Sequence, residues 1–125
     1  MSLIEAINRG NIREALAMIS RGQGLQERDW IQSTPLHYAC IKGLTEVAMA
    51  LMERGADIDA RNNYQSTPLH GACRNGHTEV AMALMERGAD IDARDNYQST
   101  PLHYACYNGH TEVAMALMER GADID

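Results

Sequence analysis

The sequence predicts an all-α repeat solenoid, in which antiparallel helix pairs stack and hairpin-like fingers project from the stack. The first observation is a recurring segment: STPLHYAC at Ser33–Cys40 returns as STPLHGAC at Ser66–Cys73 and as STPLHYAC at Ser99–Cys106. The start positions 33, 66 and 99 give a constant period of 33 residues. The second is that each period holds two segments of helical spacing, joined to the next period by a polar, turn-rich segment. Neither helix of such a pair buries its apolar face alone, so a continuous core requires a stack.

The first helix of the second repeat is predicted within Ser33–Gly43. Thr34 is a favoured N-cap residue, and Pro35 suits the first helical position, where its missing N–H is harmless. Gly43 is expected to end this helix.

The second helix is predicted within Leu44–Gly55, which ends in a basic residue and a C-cap glycine. Its apolar residues Val47, Leu51 and Met52 recur at helical spacing. The polar segment 56–65 then forms the finger that leads to the next repeat.

Four repeats are expected in a single domain, 1–125. The first 32 residues align with the second repeat when shifted by 33, for example Leu3 with Leu36, but they lack TPLH. A divergent, more polar outer repeat is what an end cap requires. We therefore predict a capping repeat 1 at 1–32, followed by repeat 2 at 33–65, repeat 3 at 66–98 and repeat 4 at 99–125, the last truncated in its finger.

The combination TPLHYAC, TEV and MERGADIDA at this period closely resembles the ankyrin repeat, over essentially the whole chain. The resemblance implies a concave face, made of fingers and first helices, that binds other proteins. It also implies that each TPLH histidine bonds the backbone of its finger. The glycine that the family usually has two residues before TPLH is Gln32, Gln65 and Gln98 here. The finger turn is therefore expected either to lack a positive φ or to place one at Asn63 and Asn96.

Composition narrows the function classes. The chain has 45% apolar and 22% charged residues and a net charge of −6, with Lys42 its single lysine. Nucleic acid is therefore not an expected partner, because phosphate binding relies on clustered Lys and Arg. No apolar run is long enough to cross a membrane, and the start does not resemble a signal peptide. A cytoplasmic location is expected.

No catalytic, metal or cofactor site is predicted. A histidine and a cysteine lie three residues apart in each TPLHxAC segment. Both side chains can bind zinc, and together they can act as a nucleophile and its base. A pair that recurs along a stack indicates packing instead, with Cys40, Cys73 and Cys106 as reduced, small apolar side chains. The aspartates of the fingers are expected to be solvated or locally hydrogen-bonded rather than calcium ligands. Met49, Met82 and Met115 either fill gaps beside small alanines, which we favour, or form an exposed ladder.

Repeat 3 and repeat 4 are nearly identical, and their differences indicate a binding surface. The segments Ser66–Asp92 and Ser99–Asp125 differ at two positions only. Gly71 corresponds to Tyr104, and Arg74 corresponds to Tyr107. Residues three apart share a helix face, and Tyr and Arg dominate protein–protein hot spots. The predicted partner-binding residues on the first helices and fingers are Trp30, Tyr38, Ile41, Lys42, Tyr64, Arg74, Tyr97, Tyr104 and Tyr107.

Two alternatives stay open at this point. The variable positions could be drift on a solvated face, and the near-identity of the last repeats fits recent duplication or an engineered, consensus-like scaffold without a natural ligand. The final helix is identical to that of an interior repeat and leaves an apolar face that includes Cys106, Leu117 and Met118. Either end-to-end self-association at high concentration or a longer parent chain, from which these residues were cut, is therefore expected.

Overall fold

The computed structural model describes residues 1–124, and within that range it contains eight α-helices and no strand. Asp125 lies outside the described residues. The predicted all-α solenoid is confirmed, with two helices in each of the four predicted repeats. The helices are α1 Leu3–Asn8, α2 Ile12–Ser20, α3 Pro35–Ile41, α4 Thr45–Glu53, α5 Pro68–Arg74, α6 Thr78–Glu86, α7 Pro101–Tyr107 and α8 Thr111–Glu119.

The first helices of repeats 2 to 4 begin with a reciprocal cap. In α3, the Thr34 hydroxyl accepts from the His37 amide at 3.3 Å, and His37 Nδ1 accepts from the Thr34 amide at 3.0 Å. Proline follows the cap at the first helical position in all three helices, as predicted. The histidine thus takes the role that Glu or Gln has in an ordinary capping box.

Glycines end the first helices and let the next repeat approach. Gly43 lies just beyond α3 with φ 69°, and Gly76 lies at the equivalent place after α5 with φ 72°. A Cβ on Gly43 would be 2.5 Å from the His77 ring, and one on Gly76 would be 2.6 Å from the His110 ring. Both the backbone conformation and the close imidazole therefore require glycine.

The stack has two rows of helices. The first helices α1, α3, α5 and α7 contact one another in order, and the second helices α2, α4, α6 and α8 do the same. Equivalent apolar residues of successive repeats fill the space between the rows. The fully buried ones include Leu36, Leu69, Val47, Val80, Val113, Leu51, Leu84 and Leu117.

Each finger turn is built on one side chain at equivalent positions, Asp29, Asn62 and Asp95. The Asp95 Oδ1 atom accepts from the amides of Tyr97 and Ser99, at 2.9 and 3.0 Å. Neighbouring fingers also bond directly, because the Asn96 amide donates to the Tyr64 carbonyl at 2.9 Å. These bonds satisfy the polar backbone without regular secondary structure.

The expectation for the backbone of these turns is wrong. The positive φ lies at the glutamines themselves, with 65° at Gln32, 59° at Gln65 and 62° at Gln98, and not at the asparagines. The Gln65 amide donates to the Asn62 carbonyl at 2.9 Å, so the hydrogen bonding of the turn fixes which residue adopts the left-handed conformation. A non-glycine residue there costs about 1 kcal/mol.

The exposure of the methionines and cysteines depends on their place in the stack. Met49 and Met82 pack against the core, whereas Met115 is exposed. Cys40 and Cys73 are buried free thiols, as expected, but Cys106 is exposed. No described repeat covers the outer side of repeat 4, so equivalent side chains there face solvent.

Candidate binding groove

Two tyrosines on the first helices are held by carboxylates of the preceding fingers. The Tyr38 hydroxyl donates to Asp29 Oδ2, and the Tyr104 hydroxyl donates to Asp95 Oδ2. Burial and the hydrogen bond to Asp29 raise the pKa of Tyr38 to about 12. Both hydroxyls therefore stay protonated, and both rings are fixed in one orientation.

Asp95 is a buried carboxylate whose oxygens are all used. Burial opposes its ionisation, but the Tyr104 hydroxyl and the amides of Ser99 and Tyr97 outweigh burial and lower its pKa. It is therefore charged at neutral pH and serves as an acceptor for the structure around it.

The finger of repeat 2 and the first helix of repeat 3 lack this arrangement. Gly71 stands where the tyrosines stand in α3 and α7, and Asn62 stands where the aspartates stand. The Asn62 Nδ2 atom donates to Ser33 Oγ at 3.1 Å instead of receiving a phenol. A Cβ on Gly71 would be 2.8 Å from Ile41 Cγ1, so Ile41 leans against the bare helix backbone.

A groove of about 580 Å³ lies along this part of the chain. Tyr38 and Tyr104 flank it on the first helices, and Gly71 lies between them. Its finger side consists of Ile31, Tyr64 and Tyr97, which occupy equivalent positions of successive fingers; Tyr64 and Tyr97 are exposed.

Arg74 supplies the exposed positive charge of the groove. Its guanidinium carbon is 5.9 Å from the centre of the Tyr104 ring. The ion pairs between residues 1 and 124 join Arg9 with Glu5 and Arg21 with Glu14, so Arg74 has no acidic partner there. Arg61, by contrast, donates to the Gln65 carbonyl of its own finger and to the Arg94 carbonyl of the next one.

Residues 59–125 match a family model described as ankyrin repeats in three copies, and residues 36–81 match a second model of ankyrin repeats in many copies. The chain belongs to the ankyrin repeat family. Ankyrin repeats generally mediate protein–protein interaction, and the family is generally a non-catalytic interaction module. No curated protein matches this ankyrin repeat chain significantly. No helix among its described residues is both long and apolar enough to span a membrane.

Six of the nine residues predicted to bind a partner line the groove of these ankyrin repeats, and three do not. Trp30 is 86% exposed and Tyr107 is 89% exposed, both outside the groove, and Lys42 is exposed at the C-cap of α3. The six that line the groove are Tyr38, Ile41, Tyr64, Arg74, Tyr97 and Tyr104. Whether any of the nine contacts a partner stays a prediction.

Sequence reasoning missed Ile31, Asn62 and Asp95 as groove residues. The signal for Ile31 was the 33-residue register, which aligns it with Tyr64 and Tyr97, whereas Trp30 aligns with asparagines. The signal for Asn62 and Asp95 was a spacing of nine residues. Asp29 precedes Tyr38 and Asp95 precedes Tyr104 by nine residues, whereas Asn62 precedes Gly71.

The histidines of the TPLH segments hold one ankyrin repeat to the next. His37 Nε2 donates to the Ser66 carbonyl and His70 Nε2 to the Ser99 carbonyl, both at 2.9 Å and both at the end of the following finger. Burial lowers the pKa of each ring. Burial raises the pKa of the Cys40 thiol, and it raises that of Cys73 to about 12, which makes both unreactive. In the part of the chain that the structure describes, no three His, Cys, Asp or Glu side chains converge as metal ligands do.

Proposed function

We propose that this chain is a non-catalytic protein-binding module whose partner docks in the groove between the fingers and the first helices. The observation that carries the proposal is that Gly71 and Arg74, the two residues by which repeat 3 differs from repeat 4, both line this groove. Positions fixed by stacking lie in the core, and the groove positions are free to follow a partner. Their aromatic and arginine content is typical of interface hot spots.

The groove supports tight binding because its walls are fixed before a partner arrives. Hydrogen bonds from Tyr38 to Asp29 and from Tyr104 to Asp95 hold two aromatic walls. Bonds between fingers hold the third wall. Ordering of side chains is a large cost of association, so a fixed wall leaves more of the contact energy as affinity.

The test compares two triple variants on the same fold. Tyr64→Ala/Arg74→Ala/Tyr97→Ala removes exposed side chains of the groove, and Trp30→Ala/Lys42→Ala/Tyr107→Ala removes two aromatic residues and one basic residue from outside it. Exposed substitutions usually stay within about 0.5 kcal/mol each, so both variants should fold.

Proteins captured from a cell extract by the unchanged chain should be lost by the groove variant and kept by the control variant. Loss by the control alone would move the binding surface outside the groove. If no protein is captured specifically by any of the three, the alternative of a repeat scaffold without a natural ligand is favoured.

We also propose that the chain is located in the cytoplasm. Its three cysteines are free thiols, and reduced thiols are usual in that compartment. Fractionation of cells that make the chain, with antibody detection, tests this location directly.

A second candidate is end-to-end association through the outer side of repeat 4. Met118 is 46% exposed, whereas Met85 at the equivalent position is 7% exposed. An apolar depression of about 270 Å³ lies there, lined in part by Cys106, Met115 and Met118. Leu117 was also expected on this face, but that expectation is wrong, because Leu117 is fully buried.

Self-association is tested with Met115→Lys/Met118→Glu. If the face joins two copies, the unchanged chain should show a concentration-dependent mass in sedimentation and the variant should stay monomeric. A monomer at millimolar concentration for both chains would contradict the association.

A further inference from the structure

One equivalent position of the three TPLH helices is filled differently in the middle repeat. In α3 and α7 a tyrosine ring occupies it, with its hydroxyl on the aspartate of the preceding finger. In α5 the position is Gly71, which lines the groove. Ile41 Cγ1 lies 2.8 Å from the place that a Cβ on Gly71 would take, so Ile41 covers part of the helix there. No tyrosine ring of α5 separates Tyr38 from Tyr104, and the groove runs between these two rings.

The finger end of this space is polar and available. Asn62 uses Oδ1 to accept from the amides of Tyr64 and Ser66, at 2.9 and 3.1 Å, just as Asp95 does with its own turn. Its Nδ2 atom replaces the carboxylate oxygen that would receive a phenol, and it donates to Ser33 Oγ. Asn62 and Ser33 both line the groove, so a hydroxyl entering here meets an amide donor and a serine hydroxyl.

We propose that the part of the groove between Tyr38 and Tyr104, beside Gly71, takes one aromatic side chain of the partner, and that an acidic residue near it in the partner pairs with Arg74. This inference rests on the proposed function and names the chemistry of the segment that docks. A partner ring would lie between Tyr38 and Tyr104, with the short aliphatic side chain of Ile41 as its neighbour. Aromatic pairs of this kind contribute beyond the area that they bury.

The acidic residue follows from the charges of the groove. Arg74 is exposed and has no ion-pair partner among residues 1–124, and no hydrogen bond of its guanidinium is formed within them. The one carboxylate of the groove, Asp95, is buried and already accepts three hydrogen bonds. The exposed charge that a partner meets is therefore positive, although the chain as a whole carries −6. A carboxylate forms strong two-point hydrogen bonds with a guanidinium.

The key variant is Asn62→Asp/Gly71→Tyr, which gives the finger of repeat 2 and the first helix of repeat 3 the aspartate and tyrosine of the flanking repeats. A Cβ at position 71 lies 2.8 Å from Ile41 Cγ1, so Ile41, which is 38% exposed, must turn outward before the new phenol can bond the new aspartate. The variant should keep its helical circular dichroism, and the groove between Tyr38 and Tyr104 should be filled. Arg74→Gln removes only the charge, and Tyr107→Ser is the matched control on α7 outside the groove.

The probe is a phage-displayed library of random 12-residue peptides, selected on the unchanged chain. Enriched peptides should carry Phe, Tyr or Trp within about four residues of Asp or Glu. A synthetic peptide from the selection should bind at least about 30-fold more weakly to Asn62→Asp/Gly71→Tyr, the effect of losing a hot spot. It should bind about 10-fold more weakly to Arg74→Gln and unchanged to Tyr107→Ser. Replacing its aromatic residue with alanine should cost the same factor, a result that does not depend on the folding of any variant.

The outcomes separate this inference from the proposed function. Peptides that lose binding to Tyr64→Ala/Arg74→Ala/Tyr97→Ala but keep it to Asn62→Asp/Gly71→Tyr would leave the groove as the site and overturn the aromatic site between Tyr38 and Tyr104. Peptides without an acidic residue, or with equal affinity for Arg74→Gln, would overturn the ion pair. Peptides indifferent to all groove variants, or a selection without enrichment, would contradict both proposals.

Discussion

Replacing the TPLH histidine should cost far more in the middle of the stack than at its end. His70 and His103 are each the last residue of an STPLH segment, and both accept from the amide of their N-cap threonine. His70 is buried and also donates to the Ser99 carbonyl of the next finger. His103 is exposed, and its Nε2 has no hydrogen bond to any of residues 1–124.

The magnitude follows from what each ring contributes. His70→Ala leaves the buried Thr67 amide without a partner, at about 1 to 3 kcal/mol. The Ser99 carbonyl loses its bond from His70, at about 1 kcal/mol, but keeps the one from the Asp95 amide. The change also removes a ring that packs edge-on to Tyr104. We expect about 3 kcal/mol of lost unfolding free energy. His103→Ala removes half of one cap at the surface and should cost about 1 kcal/mol.

The assay is urea unfolding at pH 7, followed by circular dichroism, with both variants and the unchanged chain at one concentration. An unchanged denaturant slope would show that the midpoints report stability rather than a change in the unfolded chain. Equal losses for the two variants, within 1 kcal/mol, would refute the reasoning, because the bond between repeats would then contribute nothing measurable.

Three further predictions follow from the same contacts. Burial lowers the pKa of His37 and His70, so the unfolded chain binds more protons below about pH 6.5; urea midpoints should be level above that pH and fall as the pH decreases from 6.5 to 5. A thiol reagent should label one cysteine in the folded chain and three after denaturation, and Cys106→Ala should abolish the native reaction. Gln65→Gly should raise the unfolding free energy by at most about 1 kcal/mol, since glycine adopts the φ of 59° without strain; a loss in thermal unfolding would contradict this.

The helices and their ends were predictable because local residues determine them. Threonine before proline begins each TPLH helix, and glycine ends it, whichever repeats surround it. The stacking could also be predicted, since the exact 33-residue period leaves each helix pair with the same apolar face to cover.

The groove could be predicted only in part because it depends on pairs. Tyr104 was predicted as a partner-binding residue, but its hydrogen bond to Asp95, nine residues earlier, was not predicted. Trp30 was grouped with the finger tyrosines by residue type, but the register places Ile31 in their position. The turn glutamines were misjudged because hydrogen bonding of the turn, rather than residue preference, sets the sign of φ.

Identical residues in repeats 3 and 4 also show what sequence alone leaves open. Cys73 and Cys106, like Met85 and Met118, have the same neighbours in their helices, and only the repeat on the far side distinguishes their exposure. In a stack, burial belongs to the interface between repeats and not to the repeat itself.

Asn62 and Gly71 both differ from their equivalents in the flanking repeats. That they differ together is the strongest physical argument that the two positions form one structural unit in the groove. Loss of the tyrosine alone would leave a buried carboxylate like Asp95 without one of its three hydrogen bonds, and loss of the aspartate alone would leave a half-buried hydroxyl unpaired. With Asn62 and Gly71 together, the amide keeps both backbone bonds and finds Ser33 instead. The polar atoms of Asn62 are then satisfied although the tyrosine is missing, so the groove runs past Gly71 without the penalty of an unpaired buried group, and a side chain of the partner can enter between Tyr38 and Tyr104.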